Sequence, residues 1–165
     1  MKISESTVEM LSKQVNAEFY ASYLYFSMSI WADRENLPGL AKWMELQAKE
    51  ELEHAERLHK YITERGGSTI LAPIDLPPGE FASALEVMEA AYEHELMVTD
   101  NFTRMTATAL EEQDFATVSA LRWFIDEQVE EEAQTSHWVD RLRLAGERKG
   151  ALLMIDNQLA QRQEA

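Results

Sequence analysis

Glu51 and His54 stand three residues apart in Lys49-Glu50-Glu51-Leu52-Glu53-His54, a stretch with no helix breaker. Residues at i and i+3 of a helix project from one face, so a carboxylate and an imidazole there can grip a single cation. A partner copy, Gln128-x-x-Glu131, lies further on, and each copy has an acid the same distance upstream. Glu18 precedes Glu51 by 33 residues (51 − 18), and Glu95 precedes Gln128 by 33 (128 − 95). The chain reads as two related helical hairpins, one Glu…Glu-x-x-His and the other Glu…Gln-x-x-Glu.

These residues fall on inward-facing stripes. A buried carboxylate without a counter-charge loses its hydration, and its pKa must rise to keep it neutral. Two divalent cations sharing carboxylates would offset that cost. A carboxylate-rich set with one imidazole suits hard or borderline ions such as Fe(II), Mn(II) or Fe(III). It fits copper poorly, and structural zinc would draw Cys or several His. Losing the second imidazole to Gln128-x-x-Glu131 makes the two positions unequal, which suits iron in passage better than a permanently held metal. Tyr25, seven residues after Glu18 on the same stripe, could give an electron or hydrogen bond to an oxygen adduct, or could be a packed core tyrosine. Glu50, Glu127 and Glu130 flank the stripes, where a third cation position and a solvated acidic face are both open; taken alone they favour the face. Trp123 reads as packing, and His59, His94 and His137 as ordinary polar or interface residues, His94 being placed to orient Glu95.

The chain has no cysteine, which excludes disulfides, zinc knuckles, iron–sulfur clusters and thiol nucleophiles together. Its net charge of −15, from 30 acids against 15 bases, disfavours nucleic acid and anionic membrane as partners. No apolar run is long enough to span a bilayer, and no basic start leads into an export signal, so the expected location is the cytoplasm.

The elements that must position the acids follow from capping and periodicity. Ser6-Thr7-Val8-Glu9 has the form of a capping box, predicting a first helix to about Asp33 with Glu18, Ser22 and Tyr25 on its inner stripe. Pro38 suits the first turn of a second helix, ended near Arg65 by Gly66 and Gly67. Gly66 to Gly79 holds three of the four prolines and three of the six glycines, so it is a connection. Its 14 residues (79 − 66 + 1) can span roughly 46 Å, about the length of a ~28-residue helix, which would leave helices two and three parallel. Ser83-Ala84-Leu85-Glu86 is a second capping box, opening a third helix to about Glu112 whose inner stripe includes Phe81, Leu85, Met88, Tyr92, Glu95, Thr99 and Phe102. A turn near Gln113 and Asp114 leads to a fourth helix ending near Gly146. Ala151 to Leu159 is a short, apolar fifth helix that a four-helix core does not need, and its exposed surface suggests assembly. The expected fold is all-α, one domain over residues 1–165. It is a four-helix bundle with a long crossover between helices two and three and a short fifth C-terminal helix.

At Asn16-Ala17-Glu18-Phe19-Tyr20, Glu50-Glu51-Leu52-Glu53-His54, Tyr92-Glu93-His94-Glu95 and Trp123-Phe124-Ile125-Asp126-Glu127-Gln128-Val129-Glu130-Glu131, the chain resembles the bacterial non-haem ferritins, over nearly its whole length. Di-iron bundles of the ferritin-like class carry one Glu from each of two helices and Glu-x-x-His from each of the other two. The resemblance implies a ferroxidase centre with Glu18, Glu51 and His54 at one iron, and Glu51, Glu95 and Glu131 at the second, with Gln128 close by. It also implies a third iron site of Glu50, Glu127, Glu130 and Glu131. By the same resemblance, two dozen subunits form a shell that oxidises Fe(II) with O2 or H2O2 and stores ferric mineral, the fifth helix lining four-fold channels. Bacterioferritins carry a haem-ligating methionine between the metal-binding Glu and His. Leu52 stands there instead, so no haem is expected. Where animal ferritins carry acids on a three-fold channel, the corresponding positions are Val118 and Leu121, which leaves the iron entry route open. A rubrerythrin-like peroxidase would carry a second Glu-x-x-His and a cysteine-ligated module, and neither is present. The remaining alternative is a passive iron store or scaffold with a vestigial site.

Overall fold

The computed structural model describes residues 2–163, so residues 1, 164 and 165 of the expected domain lie outside it. Among the described residues there are five helices and no strand: α1 (Glu5–Arg34), α2 (Pro38–Glu64), α3 (Ala84–Glu111), α4 (Phe115–Ala145) and α5 (Lys149–Leu159). No helix among them is long and apolar enough to cross a membrane.

Most helix ends follow the expected chemistry. The first start differs. Ser4, not Ser6, caps α1, its Oγ accepting from the Thr7 backbone N–H at 3.1 Å. The reason lies upstream: the Ile3 N–H is tied to the Arg65 carbonyl at 3.0 Å, so the chain is already aligned with the bundle when it reaches Ser4. Ser6 instead reaches Glu112 across the molecule. Ser83 caps α3 as expected, accepting from the Glu86 N–H at 3.1 Å, while the Glu86 carboxylate accepts from Ala82. The α1–α2 and α3–α4 turns each place one residue in the left-handed region, Asn36 and Gln113, both at φ 58°. They are 77 residues apart (113 − 36), the same interval as Glu18 to Glu95 (95 − 18) and Glu51 to Gln128 (128 − 51). The repeat therefore extends from the acids to the turns.

The long connection runs along α1 for most of its length. Ile70 donates to Ser12 Oγ, Ala72 to Asn16 Oδ1, and Ser27 Oγ to the Pro78 carbonyl, at 3.0, 2.8 and 2.7 Å. α2 and α3 are consequently parallel.

The apolar interior is split in two. One cluster gathers Met28, Trp31, Trp43, Met44, Met88 and Leu142 at one end. The other gathers Leu11, Val15, Leu58, Ile62, Phe102, Leu121 and Phe124 at the opposite end. On α1 the change of cluster falls between Val15 and Ala21, on α2 between Ala48 and Ala55, on α3 between Ala91 and Val98, and on α4 between Phe124 and Val139. Glu18, Glu51, His54, Glu95, Gln128 and Glu131 occupy those four gaps. Two packed cores thus enclose one polar layer in the middle of the bundle. Leu121 belongs to the second core, so it is not placed to line a channel.

On α3 the expected stripe is rotated. Phe81 precedes the helix and packs edge-on against Trp31, and Leu85, Tyr92 and Thr99 are half-buried. The buried face includes Val87, Ala91, His94 and Val98, because a stripe facing three neighbouring helices is wider than a single line of i, i+3 and i+4 positions.

α5 docks on α2 and α4 through Ile155 and Leu159 while Leu153 and Met154 face outward. Asp156 is its anchor. That buried carboxylate accepts from the Gly39 and Leu40 N–H groups at 3.1 and 2.8 Å, serving as the cap that Leu37 cannot provide for α2. Gly39 leaves the room: a Cβ there would lie 1.8 Å from the Asp156 carbonyl oxygen. Asp156→Ala leaves two buried donors without an acceptor and is expected to cost about 1–3 kcal/mol. Thermal unfolding would read the loss. Hydrogen exchange should show α5 amides exchanging faster than in the parent, and an unchanged α5 would refute the anchor.

Candidate metal centre

Glu18 on α1 and Glu51 and His54 on α2 each offer a ligand atom, and these three atoms lie within 4.8 Å of one another. All three residues are buried, Glu18 with no exposed surface. Packing forces this position. Glu18 lies midway between Val15 and Ala21 of the two cores, so its side chain has only the interior to enter.

Hydrogen bonds hold the acids in place but leave part of the cluster unsatisfied. Gln14 donates to Glu18 Oε1 at 2.8 Å. Gln47 donates to Glu51 Oε1 at 3.2 Å and to Glu131 Oε2 at 2.8 Å, linking two expected ligands from α2 and α4. His54 Nδ1 lies 3.2 Å from Glu51 Oε2 without hydrogen-bond alignment. Glu18 Oε2 and His54 Nδ1 are therefore buried polar atoms with no partner, a costly state that a cation between them would relieve. Carboxylate and imidazole donors with no thiolate fit iron, as the donor types alone suggested.

On the other hairpin, Glu95 and Glu131 are equally buried. Glu95 accepts from Gln128 Nε2 at 3.0 Å and from the Tyr25 hydroxyl. Tyr25 thus spans from α1 to α3 and ends on an expected ligand, so its hydroxyl is satisfied and also adjacent to the centre. Gln128 touches Glu95 rather than standing free.

The titration of these groups follows from burial. Desolvation first, and the Glu51 charge second, raise the Glu18 carboxyl well above its ordinary range. Burial and then the charges of Glu51 and Glu131 do the same to Glu95. Glu131 is pushed up to about 7, chiefly by burial and then by Glu51. Burial works on Glu51 in the same direction, but the close contact and charge of His54 overcome it and leave Glu51 below the usual carboxylate value. For His54 burial disfavours the charge, yet Glu51, Glu131 and Glu127 prevail and raise it. Glu51 is thus the acid of the set whose charged form is favoured, while burial and its charge favour the protonated forms of Glu18 and Glu95 and bring Glu131 to about 7.

The flanking acids differ among themselves. Glu50 and Glu127 are half-buried and Glu130 is exposed. Glu50 is paired with Arg162 from beyond α5, at 2.5 Å. Trp123 packs between the Arg57 guanidinium, 3.9 Å from the centroid of the Trp123 ring system, and the edge of His54.

Residues outside the expected set also belong here. His94, read from the sequence as an ordinary polar or interface residue, lies in the interior. It is buried against Tyr25 and Tyr20, its Nε2 has no partner, and burial lowers its pKa. His59 and His137 are exposed as expected, His59 bonded to Thr69. Gln14 and Gln47 are legible in principle: each precedes an expected ligand acid by four residues, and they are 33 apart (47 − 14), the interval of Glu18 to Glu51.

Comparison with known proteins shows the family. The ferritin-like domain family model matches residues 8–145. A bacterial non-heme ferritin of Bacteroides fragilis is 39% identical over 160 residues, covering 97% of this chain and 99% of its own. A probable bacterial non-heme ferritin-like protein of Haemophilus influenzae is 37% identical over 157 residues, covering 95% of each. Among solved structures, the open pore ferritin of the archaeon Archaeoglobus fulgidus superposes with a TM-score of 0.97 at 45% identity, covering 98% of this chain and 100% of the other. Matched by the family model over residues 8–145 and by relatives over nearly its whole length, this chain belongs to the ferritin-like domain family.

Proposed function

We propose that this protein is an iron-storing ferroxidase: it binds Fe(II) as substrate in the central polar layer, oxidises it with O2 or H2O2 and passes Fe(III) into the interior of a multi-subunit shell. The observation that carries the reading is the Glu18–Glu51–His54 cluster, with two buried ligand atoms lacking partners. Glu18, Glu51 and His54 take one iron, and Glu51, Glu95 and Glu131 the second. Glu51, the group held most firmly as an anion, bridges them. Gln128 holds Glu95 through its amide. Each Fe(II) gives up one electron to the oxidant, and Tyr25 is placed beside Glu95 to hydrogen-bond or supply a further electron. Binding displaces protons from Glu18, Glu95 and Glu131, so loading strengthens as pH rises. Glu50, Glu127, Glu130 and Glu131 form a third position on the path outward. No haem takes part, because Leu52 offers no ligand atom where a haem-ligating methionine would stand.

Assembly is supported by apolar surface left on the single chain. Phe19, Tyr23, Phe26 and Leu52 line a groove of about 410 Å³, and Leu153 and Met154 of α5 are more than half exposed. The test is an aerobic Fe(II) titration of the purified assembly with its mass measured by size exclusion. The expected result is a shell of about two dozen subunits that forms ferric species well above the background rate. A shell with only background oxidation would select the passive scaffold. Storage would have to be abandoned for a monomer that oxidises iron.

A further inference from the structure

Arg162 lies three residues beyond the end of α5, yet its side chain is only 12% exposed. Its guanidinium stacks on the Trp43 ring at 4.3 Å, donates to the Trp43 carbonyl at 3.3 Å and to Gln47 Oε1 at 2.8 Å, and pairs with Glu50 at 2.5 Å. The tail that carries it is held to α2 by Lys42, which donates to the Ala160 carbonyl at 2.8 Å.

A guanidinium has donors only, so the oxygen of Gln47 must face it. The amide NH2 is then left to face Glu51 and Glu131, as observed. Arg162 therefore determines which end of Gln47 meets two residues of the metal centre. It also puts a permanent positive charge beside Glu50, the residue next to the bridging Glu51, and that charge is felt as far as Glu131.

We propose that Arg162 is a positioning residue of the metal centre, holding the Glu50 corner as a built-in cation that a metal ion must displace. The proposal rests on the metal-centre reading above. With the two-ion centre filled, Arg162 keeps Gln47 oriented and Glu50 neutralised. When a further ion takes Glu50, the guanidinium leaves, Gln47 loses its lock and the segment after α5 is released. Occupation of the corner and freedom of the tail are two sides of one equilibrium.

Anaerobic Co(II) titrations of the assembled protein test this, using the parent, Arg162→Lys, Arg162→Gln and the double variant Arg162→Gln/Glu50→Gln. Arg162→Gln should tighten the weakest Co(II) by at least about tenfold, since one competing charge is removed. Arg162→Lys, which keeps the charge without the stacked, forked guanidinium, should fall between the parent and Arg162→Gln, and the double variant should lose the gain. In the parent, hydrogen exchange over residues 159–163 should rise only as the last Co(II) binds. Equal weak-site affinity in parent and Arg162→Gln, or a tail whose exchange ignores saturating Co(II), would overturn the proposal. A Glu51→Ala control separates the two readings: if it binds Co(II) as the parent does, the metal centre itself is wrong, and the Arg162 proposal falls with it.

Discussion

Glu51→Ala is expected to slow the fast phase of Fe(II) oxidation by about 100-fold or more, equivalent to about 3 kcal/mol of lost transition-state stabilisation. Three features of this residue make it the most consequential substitution. It shares the three-residue cluster with Glu18 and His54, and it is tied through Gln47 to Glu131. It is also the carboxylate whose pKa falls while those of its buried neighbours rise. Without it, Glu18 and His54 lose the third member of their cluster, Gln47 loses one of the two acids it joins, and the proposed common ligand of two iron ions is gone. Aerobic stopped-flow absorbance of the ferric product would measure the rate, with the shell mass checked alongside. The parent rate in the variant would refute the assignment of Glu51 as the bridge. Removing Glu51 takes away the charge that raises Glu18 and Glu95 but also the contact of His54 and Gln47, so the shell mass separates a lost ligand from a lost fold.

Glu131→Gln tests the same layer from the side of stability. Glu131 titrates near 7 in the fold against an ordinary value of 4.5. A carboxyl whose folded pKa is raised contributes stability fully present below about pH 4.5 and lost as pH rises towards 7. The metal-free parent should therefore weaken across that window. Glu131→Gln keeps a neutral group at every pH, so above pH 7 the metal-free variant should be more stable than the parent by on the order of 3 kcal/mol. Near pH 4.5 the difference should shrink to little. Saturating Co(II) should reverse the ranking at pH 7.5, since the parent keeps a ligand that the variant has lost. Thermal unfolding of both proteins at several pH values, with and without metal, would read all three differences. Parallel pH curves for the metal-free proteins would refute the buried-acid account. The central acids are thus a local cost in stability that the proposed metal binding would offset.

Much of the central layer is legible in the order of residues. The interval of 33 residues within each hairpin, and the place of Glu-x-x-His on an inward stripe, are enough to predict a polar layer and to name its six acid, amide and imidazole members. The parallel course of α2 and α3 follows from the length and composition of residues 66–79. The burial of His94 is not legible from a single helical line, because the buried face of α3 meets more than one helix and takes in His94 beside Glu95. The capping role of Asp156 and the reach of Arg162 have no local signal. Each acts on a residue more than a hundred positions away in the chain.

Sequence alone determined the helices, the two hairpins and the set of acids, because periodicity, caps and repeat spacing are local properties that survive without a partner. The tertiary structure alone decided which acid stays charged, which amide faces which carboxylate, and what occupies the Glu50 corner. Those depend on burial and on distances between helices, and Coulomb energy and desolvation are set by neighbours in space rather than in the chain.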